Sequence, residues 1–494
     1  MNSVTLDTAI EFVDSPLIPQ FLLIQEIGLT ISMIFMLMMF RTMLRVDEQS
    51  YEELFSPWTS VMIFGSLIIV GFLTYTWGIE RFLFAFSLSA AILLTYFRPI
   101  FGLASFISFL LYRPWEMMPE PIVLAIPKYF GLLVFGLFIL KKFRRSEYFF
   151  IWNKECTFMI LFALWVLFSV FKTNNFNESL TLYENQFTRL LIIFFLMLNL
   201  IKTRLDFLTI HITLVITVVT KGIVSILNTM SSSTYSIADG AEAVATRLTG
   251  VGALADSNDL AAVFIISLPL LLSLFWSGKK NIYNLTLGAM ALFFSTYLIW
   301  LTRSRGAIIA LLALFSSFLL DKIKKKSNKI ITILLIGMLF FPISMTFKRS
   351  SDDLSESTSN RMNYWKTAVI MAGRNPFLGV GYNAYPENFE SYAPELISEF
   401  GYRTAHSTWF LILGETGFIG FGLFFSLYFV ILRKSIALRK DHPELFFSLI
   451  GYTVTMTFLS HAYVIYPYIL FALVSVGHRI FIENNSDHPE AKAA

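Results

Sequence analysis

Long apolar runs, separated by short polar and basic stretches, dominate this chain of 494 residues. The clearest runs cover 61–70, 190–200, 260–276, 330–341 and 418–432, and they reach or approach the roughly 20 residues that a helix needs to cross a bilayer. Counting all such runs predicts about 12–15 transmembrane helices. The pattern therefore predicts an all-α, polytopic integral membrane protein.

The composition points the same way. Hydrophobic residues make up 56% of the chain and charged residues 15%, whereas a soluble protein carries about 25% charge. The single cysteine, Cys156, lies in an apolar run. It is expected to be a small buried residue, and one cysteine excludes an internal disulfide framework.

Lysine and arginine clusters recur in alternate loops, at 41–45, 141–145, 202–204, 279–280, 322–329, 433–440 and 479. Loops rich in these residues stay cytoplasmic. An even number of predicted spans lies between successive clusters, so all of them can face the cytoplasm. The Lys-rich loop at 322–329 is then an orientation signal, and no nucleic-acid partner is predicted.

A smaller set of basic residues falls on the opposite side of the membrane. Arg247 lies in the loop 228–259, Arg303 and Arg305 lie in a tight TRSRG turn, and His406 ends a large loop at about 348–404. Cations in or beside a bilayer need an anionic partner or a water-filled cavity. Arg305 also begins a helix, where free backbone N–H groups favour a phosphate.

Each of these residues has a plainer interpretation. The arginines could anchor the chain to lipid head groups or lie solvated in loops. His406 can accept a proton near neutral pH, or it can be a hydrogen-bonded histidine at the interface. His461 is predicted on the same side and competes for the role of base. Glu415, inside an apolar helix, is expected to be a structural pairing group.

Local signals also predict structure within the large loop. Asn360 can cap a helix that runs through Arg361 and Trp365, and Asn375-Pro376 should end that helix. The chain contains no HExxH, no Cys/His spacing and no Gly-rich phosphate loop. No metal and no cofactor are therefore predicted.

Five motifs occur in a fixed order between roughly 245 and 425. They are R-x-x-G-x(5)-D-x-N at 247–258, T-x-S-R-G-A at 302–307, R-x-x-x-W at 361–365, N-P-x-x-G-x-G at 375–381, and H-S at 406–407 followed by E-x-G-x-x-G at 415–420. In this order they resemble the O-antigen ligase and O-antigen polymerase superfamily of bacterial membrane glycosyltransferases.

The resemblance implies a GT-C-like helical fold with a periplasmic loop over the active site, in the bacterial inner membrane. It implies a glycan donor on undecaprenyl pyrophosphate, no metal, and an acceptor that is a glycan, a lipid A core or a protein. By position, Arg247 and Arg305 would hold the pyrophosphate, with Arg303 adding charge, and His406 would be the catalytic base.

Other residues of the loop could contact the substrate. These are Arg361, Trp365, Tyr382 and Arg403. Aromatic residues there can stack on sugar rings, or they can pack the loop onto the membrane surface.

The resemblance also suggests three parts: N-terminal helices at 1–240, a ligase-like catalytic region at 241–440, and C-terminal helices with a short cytoplasmic tail at 441–494. The sequence does not separate a ligase from a polymerase. A transporter or flippase of lipid-linked glycans is the alternative without bond formation, and a non-catalytic scaffold is a further one. A transporter is expected to show paired internal repeats and charges near the midplane, and the chain shows few such charges and no such repeat.

Overall fold

The computed structural model describes residues 87–112, 121–144, 150–238, 248, 256–276, 282–323, 351–393 and 404–483. Every regular element in these ranges is helical, which confirms the all-α prediction. The helices are α1 (Ser87–Phe97), α2 (Pro99–Tyr112), α3 (Pro121–Arg144), α4 (Lys154–Val170), α5 (Phe176–Leu200), α6 (Arg204–Ala238), α7 (Ser257–Trp276), α8 (Ile282–Leu301), α9 (Arg305–Lys322), α10 (Ser351–Arg374), α11 (Tyr385–Tyr392), α12 (Thr408–Leu438), α13 (Pro443–Phe458) and α14 (Ile465–His478).

Within the described ranges, five helical stretches are long and apolar enough to cross a membrane. They are Arg204–Leu227, Ser257–Phe275, Ile282–Leu301, Thr408–Leu438 and Ile465–Glu483. The chain is a multi-pass membrane protein, as its hydrophobic pattern predicts. The expected total of 12–15 helices also covers ranges outside the described residues.

The chain folds into two compact units. One unit contains Met1–Phe150 and Asn199–Leu260, and the other contains Ile151–Leu198 and Ala261–Ala494. The three-part division at 240 and 440 stays a prediction. Helices α4 and α5, from the predicted N-terminal part, belong with the later helices because they share a core with them; the rings of Phe162 and Phe424 lie 5.4 Å apart.

Aromatic rings pack between helices of the first unit, and buried threonine hydroxyls bond within their own helix. The ring of Phe109 on α2 meets that of Phe130 on α3 edge-on at 5.2 Å. Thr213 and Thr217 on α6 donate hydrogen bonds to carbonyl oxygens one turn earlier, which satisfies these hydroxyls in an apolar setting.

The second unit has two chemically different ends. At one end, Arg439 pairs with Asp321 at the end of α9, and Lys434 pairs with the buried Glu155 of α4. Helix α9 has 18 residues, so its opposite end lies about 27 Å away. That length is close to the roughly 30 Å hydrocarbon thickness of a bilayer, so the TRSRG turn and the basic end lie about one such thickness apart.

Helix α12 folds back on itself at Gly417. The backbone there has φ 69° and ψ −170°, a conformation that residues other than glycine rarely adopt. The ring of Trp409 lies 5.8 Å from that of Phe424 and 5.1 Å from that of Tyr428. In a straight helix Trp409 and Phe424 would be about 22 Å apart along the axis. Residues 408–416 and 418–438 are therefore two arms of a sharp bend.

The loop 375–384 occupies the bend and completes its hydrogen bonds. The N–H groups of Val380 and Gly381 donate to the carbonyl oxygens of Gly414 and Glu415 at 2.9 and 3.0 Å, and the N–H of Phe418 donates to Pro376 O at 2.8 Å. These partners replace bonds that the bend removes from the helix. The motifs N-P-x-x-G-x-G and E-x-G therefore form one backbone junction.

Glu415 belongs to the same junction. Its side chain is buried, and Oε1 accepts a hydrogen bond from the N–H of Tyr385 at 3.2 Å. The expectation that Glu415 is a structural pairing group is confirmed. The hydroxyl of Tyr463 interacts with the same carboxyl group.

The helix predicted in the large loop is present, but its start was predicted wrongly. Helix α10 begins at Ser351 rather than at Asn360, and it ends at Arg374, directly before Asn375-Pro376 as predicted. Residues 351–360 contain neither glycine nor proline. Nothing in the local sequence therefore stops the helix from extending towards the N-terminus past a residue that resembles a cap.

Replacing Gly417 should weaken the junction. In Gly417→Ala, the new Cβ would lie 2.5 Å from the carbonyl oxygens of Pro376 and Phe377. The backbone conformation at this position, which is nearly exclusive to glycine, would cost alanine about 1–3 kcal/mol more. We expect a lower apparent Tm for the full chain in detergent. The control is Gly422→Ala on the same helix, where nothing lies within 4 Å of the new Cβ and alanine should stabilise by about 0.5–1 kcal/mol. Equal shifts for the two variants would contradict the assigned role of Gly417.

Candidate active site

The two arginines of the TRSRG turn differ in solvent exposure. Arg303 is exposed and has a left-handed backbone with φ 50°. Ser304 caps α9 by accepting a hydrogen bond from the N–H of Ala307 at 3.3 Å. Arg305 is therefore the first residue of α9 and is half-buried. Its position at a helix N-terminus, as the sequence predicts, favours a nearby anion.

Arg361 on α10 lies close to Arg305. Its guanidinium carbon is 5.8 Å from the ring centre of Phe458, and a Cβ built on Gly306 would lie 3.3 Å from Cβ of that phenylalanine. Burial, and then the positive charge of Arg305, lower the pKa of Arg361 below its usual range. The two positive charges thus repel each other.

This like-charged pair is the most informative feature of the site. Among the described residues, no carboxylate compensates the charge of the half-buried Arg361. Two neighbouring cations with reduced solvation are stabilised when an anion binds between them. In the sequence, Arg361 was only a possible contact, because the R-x-x-x-W motif does not show that α10 approaches the TRSRG turn.

His406 lies beside the same helix. Its ring centre is 5.7 Å from that of Tyr364, which is three residues from Arg361 on α10 and therefore near it on the helix surface. His406 is half-buried and has φ 47°. Histidine tolerates this left-handed region better than most residues, but a non-glycine residue there still marks local strain.

His461, the competing histidine, is placed differently. It is only 2% exposed, and its Nδ1 shares a 3.0 Å hydrogen bond with the hydroxyl of Tyr452. His406 is the more accessible of the two imidazoles and contacts α10 through Tyr364. Its role as the base stays a prediction.

The remaining predicted contacts fall into different environments. Trp365 is half-buried and stacks on Phe410 at 5.1 Å, and its indole N–H has no partner among the described residues. Tyr382 is 1% exposed, donates its hydroxyl hydrogen bond to Gln186 Oε1 at 2.8 Å, and packs against Tyr463. Burial raises the pKa of Tyr382 far above its usual value. Its position indicates an interior packing residue.

Two predicted site residues, Arg247 and Arg403, lie outside the described residues. Within the described ranges, no three His, Cys, Asp or Glu side chains lie together as a possible metal site. The groups that the structure brings together are Arg305, Arg361 and His406. This arrangement can bind an anion and accept a proton beside it.

Comparison with known proteins finds one family for part of the chain. Residues 288–425 match the model of the family described as O-Antigen ligase. The match begins within α8, includes the TRSRG turn, α10 and His406, and ends shortly after the bend at Gly417. No curated protein matches the chain. The family match confirms the resemblance carried by the ordered motifs, and residues 288–425 of this multi-pass membrane protein are similar to O-antigen ligases.

Proposed function

We propose that this protein transfers a glycan from undecaprenyl pyrophosphate to an acceptor hydroxyl at the periplasmic surface of a bacterial inner membrane. The family supports the class of membrane glycosyltransferase. The observation that supports a pyrophosphate-linked donor is the half-buried pair Arg305 and Arg361. Their like charges favour an anion bound between them.

The position of the pair relative to the membrane suits a lipid-linked diphosphate. Arg305 stands at the end of α9 opposite the basic residues, about one bilayer thickness away from them. The diphosphate of a polyprenyl lipid lies at the same level, where its chain leaves the hydrocarbon. The arginines can therefore hold the head group while the prenyl chain stays in the membrane.

In this reaction the arginines must stabilise the negative charge of the leaving group. The bond between the anomeric carbon and the pyrophosphate oxygen breaks, and negative charge accumulates on the departing diphosphate. Guanidinium groups already in place stabilise that charge without reorganisation. One such contact is commonly worth about 10²–10³-fold in rate, or about 2.7–4 kcal/mol. In this proposal the arginines supply the charge that a metal ion supplies in many soluble enzymes.

His406 completes the reaction on the acceptor side. As the acceptor oxygen bonds to the anomeric carbon, its proton passes to an imidazole nitrogen of His406. A positioned base of this kind contributes about 10²–10⁴-fold. Arg247 stays a predicted pyrophosphate ligand on the strength of the resemblance. Arg303 also stays a predicted pyrophosphate ligand, although it is exposed and the Arg305–Arg361 pair is half-buried.

The proposal predicts bond formation by the purified full chain. With a defined undecaprenyl-pyrophosphate glycan, an acceptor and a chelator, we expect a new glycosidic product in gel analysis. Longer glycans on the lipid would identify a polymerase, and glycan moved to lipid A core or to protein would identify a ligase. Donor that crosses a vesicle bilayer without a new bond would contradict the proposal and favour a transporter.

Arg361 gives a sharp test of the anion site. We expect Arg361→Ala to lower transfer by about 10²–10³-fold, and Arg361→Lys to recover part of the rate because it restores charge without the guanidinium fork. Inorganic pyrophosphate should compete with the donor in the native protein and compete less in Arg361→Ala.

The matched control is Arg374→Ala. Arg374 lies on the same helix, is exposed, and stacks over Tyr392 at 5.3 Å. The Arg374→Ala variant should transfer glycan at close to the native rate. A native rate and native pyrophosphate competition in Arg361→Ala would remove this residue from the site.

Cysteine labelling tests the predicted orientation. The only native cysteine, Cys156, is buried, so single introduced cysteines report on their own positions. In intact cells, Arg303→Cys should react with a membrane-impermeant maleimide, whereas Lys440→Cys, at the basic end, should react only after permeabilisation. The opposite labelling pattern would place the candidate site in the cytosol.

A further inference from the structure

The chain on both sides of His406 is tied to one short segment that links α13 to α14. We call this segment, residues 458–461, the clamp segment. On the near side of His406, the hydroxyls of Thr404 and Ser460 share a 2.8 Å hydrogen bond. The histidine loop is thus fixed before it reaches His406.

On the far side of His406, Thr408 makes two hydrogen bonds to the clamp segment. Its hydroxyl donates to Leu459 O at 2.7 Å and accepts from the N–H of His461 at 3.0 Å. Thr408 is fully buried, with 0% exposure. A buried hydroxyl with both its donor and acceptor capacity used fixes the backbone on each side of it.

His406 lies between these two anchors with its left-handed backbone at φ 47°. A strained conformation of this kind persists only where the surrounding structure determines it. The hydrogen bonds of Thr404 and Thr408 fix this conformation, because they hold both ends of the stretch 404–408 against the clamp segment.

The clamp segment also contacts the arginine pair. Phe458 lies under the guanidinium of Arg361 and beside Gly306, the residue after Arg305. One run of four residues therefore touches the surroundings of all three groups in the proposed site. This run lies downstream of the family match, which ends at residue 425.

We propose that the clamp segment sets the position of His406 relative to the Arg305–Arg361 pair, and that Thr408 is its main positioning residue. The inference rests on the proposed function, since it concerns the distance between the base and the departing diphosphate. A displacement of about 1 Å at a reacting group can cost about 100-fold in rate. Loss of the Thr408 hydroxyl is expected to permit such a displacement.

The test uses near-isosteric variants of the full chain. Thr408→Val keeps the shape and removes both hydrogen bonds, and Thr408→Ser keeps the hydroxyl. The control is Thr453→Val, which removes a 2.8 Å hydrogen bond to Tyr428 between the same two helices, α12 and α13, without touching the clamp segment. Transfer is measured at saturating donor for each variant, alone and combined with His406→Ala.

We expect Thr408→Val to lower the rate by roughly 10–100-fold, while Thr408→Ser and Thr453→Val stay near the native rate. In the His406→Ala background, already slower by about 10²–10⁴-fold, Thr408→Val should cause no further loss, because there is no base left to misplace. Competition by inorganic pyrophosphate should stay native in Thr408→Val, since the arginines are unchanged. If Thr408 had only a structural role, Thr408→Val would lower the transfer rate by the same factor in the native and the His406→Ala backgrounds.

A native rate in Thr408→Val, or an equal loss in both backgrounds, would overturn the inference and leave the proposed function intact. Full transfer in His406→Ala would overturn the assigned base and the inference together. If Thr408→Val does not fold, Thr404→Val replaces it at the less buried end of the clamp. A loss there that vanishes in the His406→Ala background supports the inference, and a loss that persists overturns it.

Discussion

The bend of α12 at Gly417 decides where His406 lies. In a straight helix the histidine would lie about 16 Å beyond Gly417 along the axis. The bend instead returns residues 408–416 alongside the second arm, so that Trp409 reaches the level of Phe424, about 10 Å back along the axis. The backbone bonds between the loop 375–384 and the bend hold this geometry. Without them, the carbonyl groups of Gly414 and Glu415 would lose their partners in an apolar setting.

The same bend brings together charges that would otherwise be separated. The first arm of α12 runs beside α10, with Trp365 stacked on Phe410. Helix α10 in turn places Arg361 near Arg305 at the start of α9. Two neighbouring cations of reduced solvation are costly in isolation. In the proposed function, the bound diphosphate lowers that cost, and α10 links its binding to the bend.

The sequence predicted the helices well and the contacts between them only in part. Helix α10 was expected to end at Arg374 because Asn-Pro follows, and it does. The bend was not predicted, because the glycines at 414–422 lie in an apolar run that looks like one continuous span. Tyr382 was a possible substrate contact in the sequence, but long-range packing against Tyr463 buries it. The proximity of Arg305 and Arg361 arises from tertiary structure alone, so no local pattern could reveal it.

The motifs that carry the family resemblance therefore divide into two physical roles. N-P-x-x-G-x-G and E-x-G supply glycines and carbonyl groups that build the junction, and in the proposed function the arginines and His406 act on the substrate. The two roles depend on each other, because fixed charges stabilise a transition state only when the backbone holds them in advance. The clamp segment extends this dependence beyond the matched region 288–425. A fragment that ends at residue 425 would keep Arg305, Arg361 and His406 but lose the hydrogen bonds at Thr404 and Thr408 that fix the histidine loop.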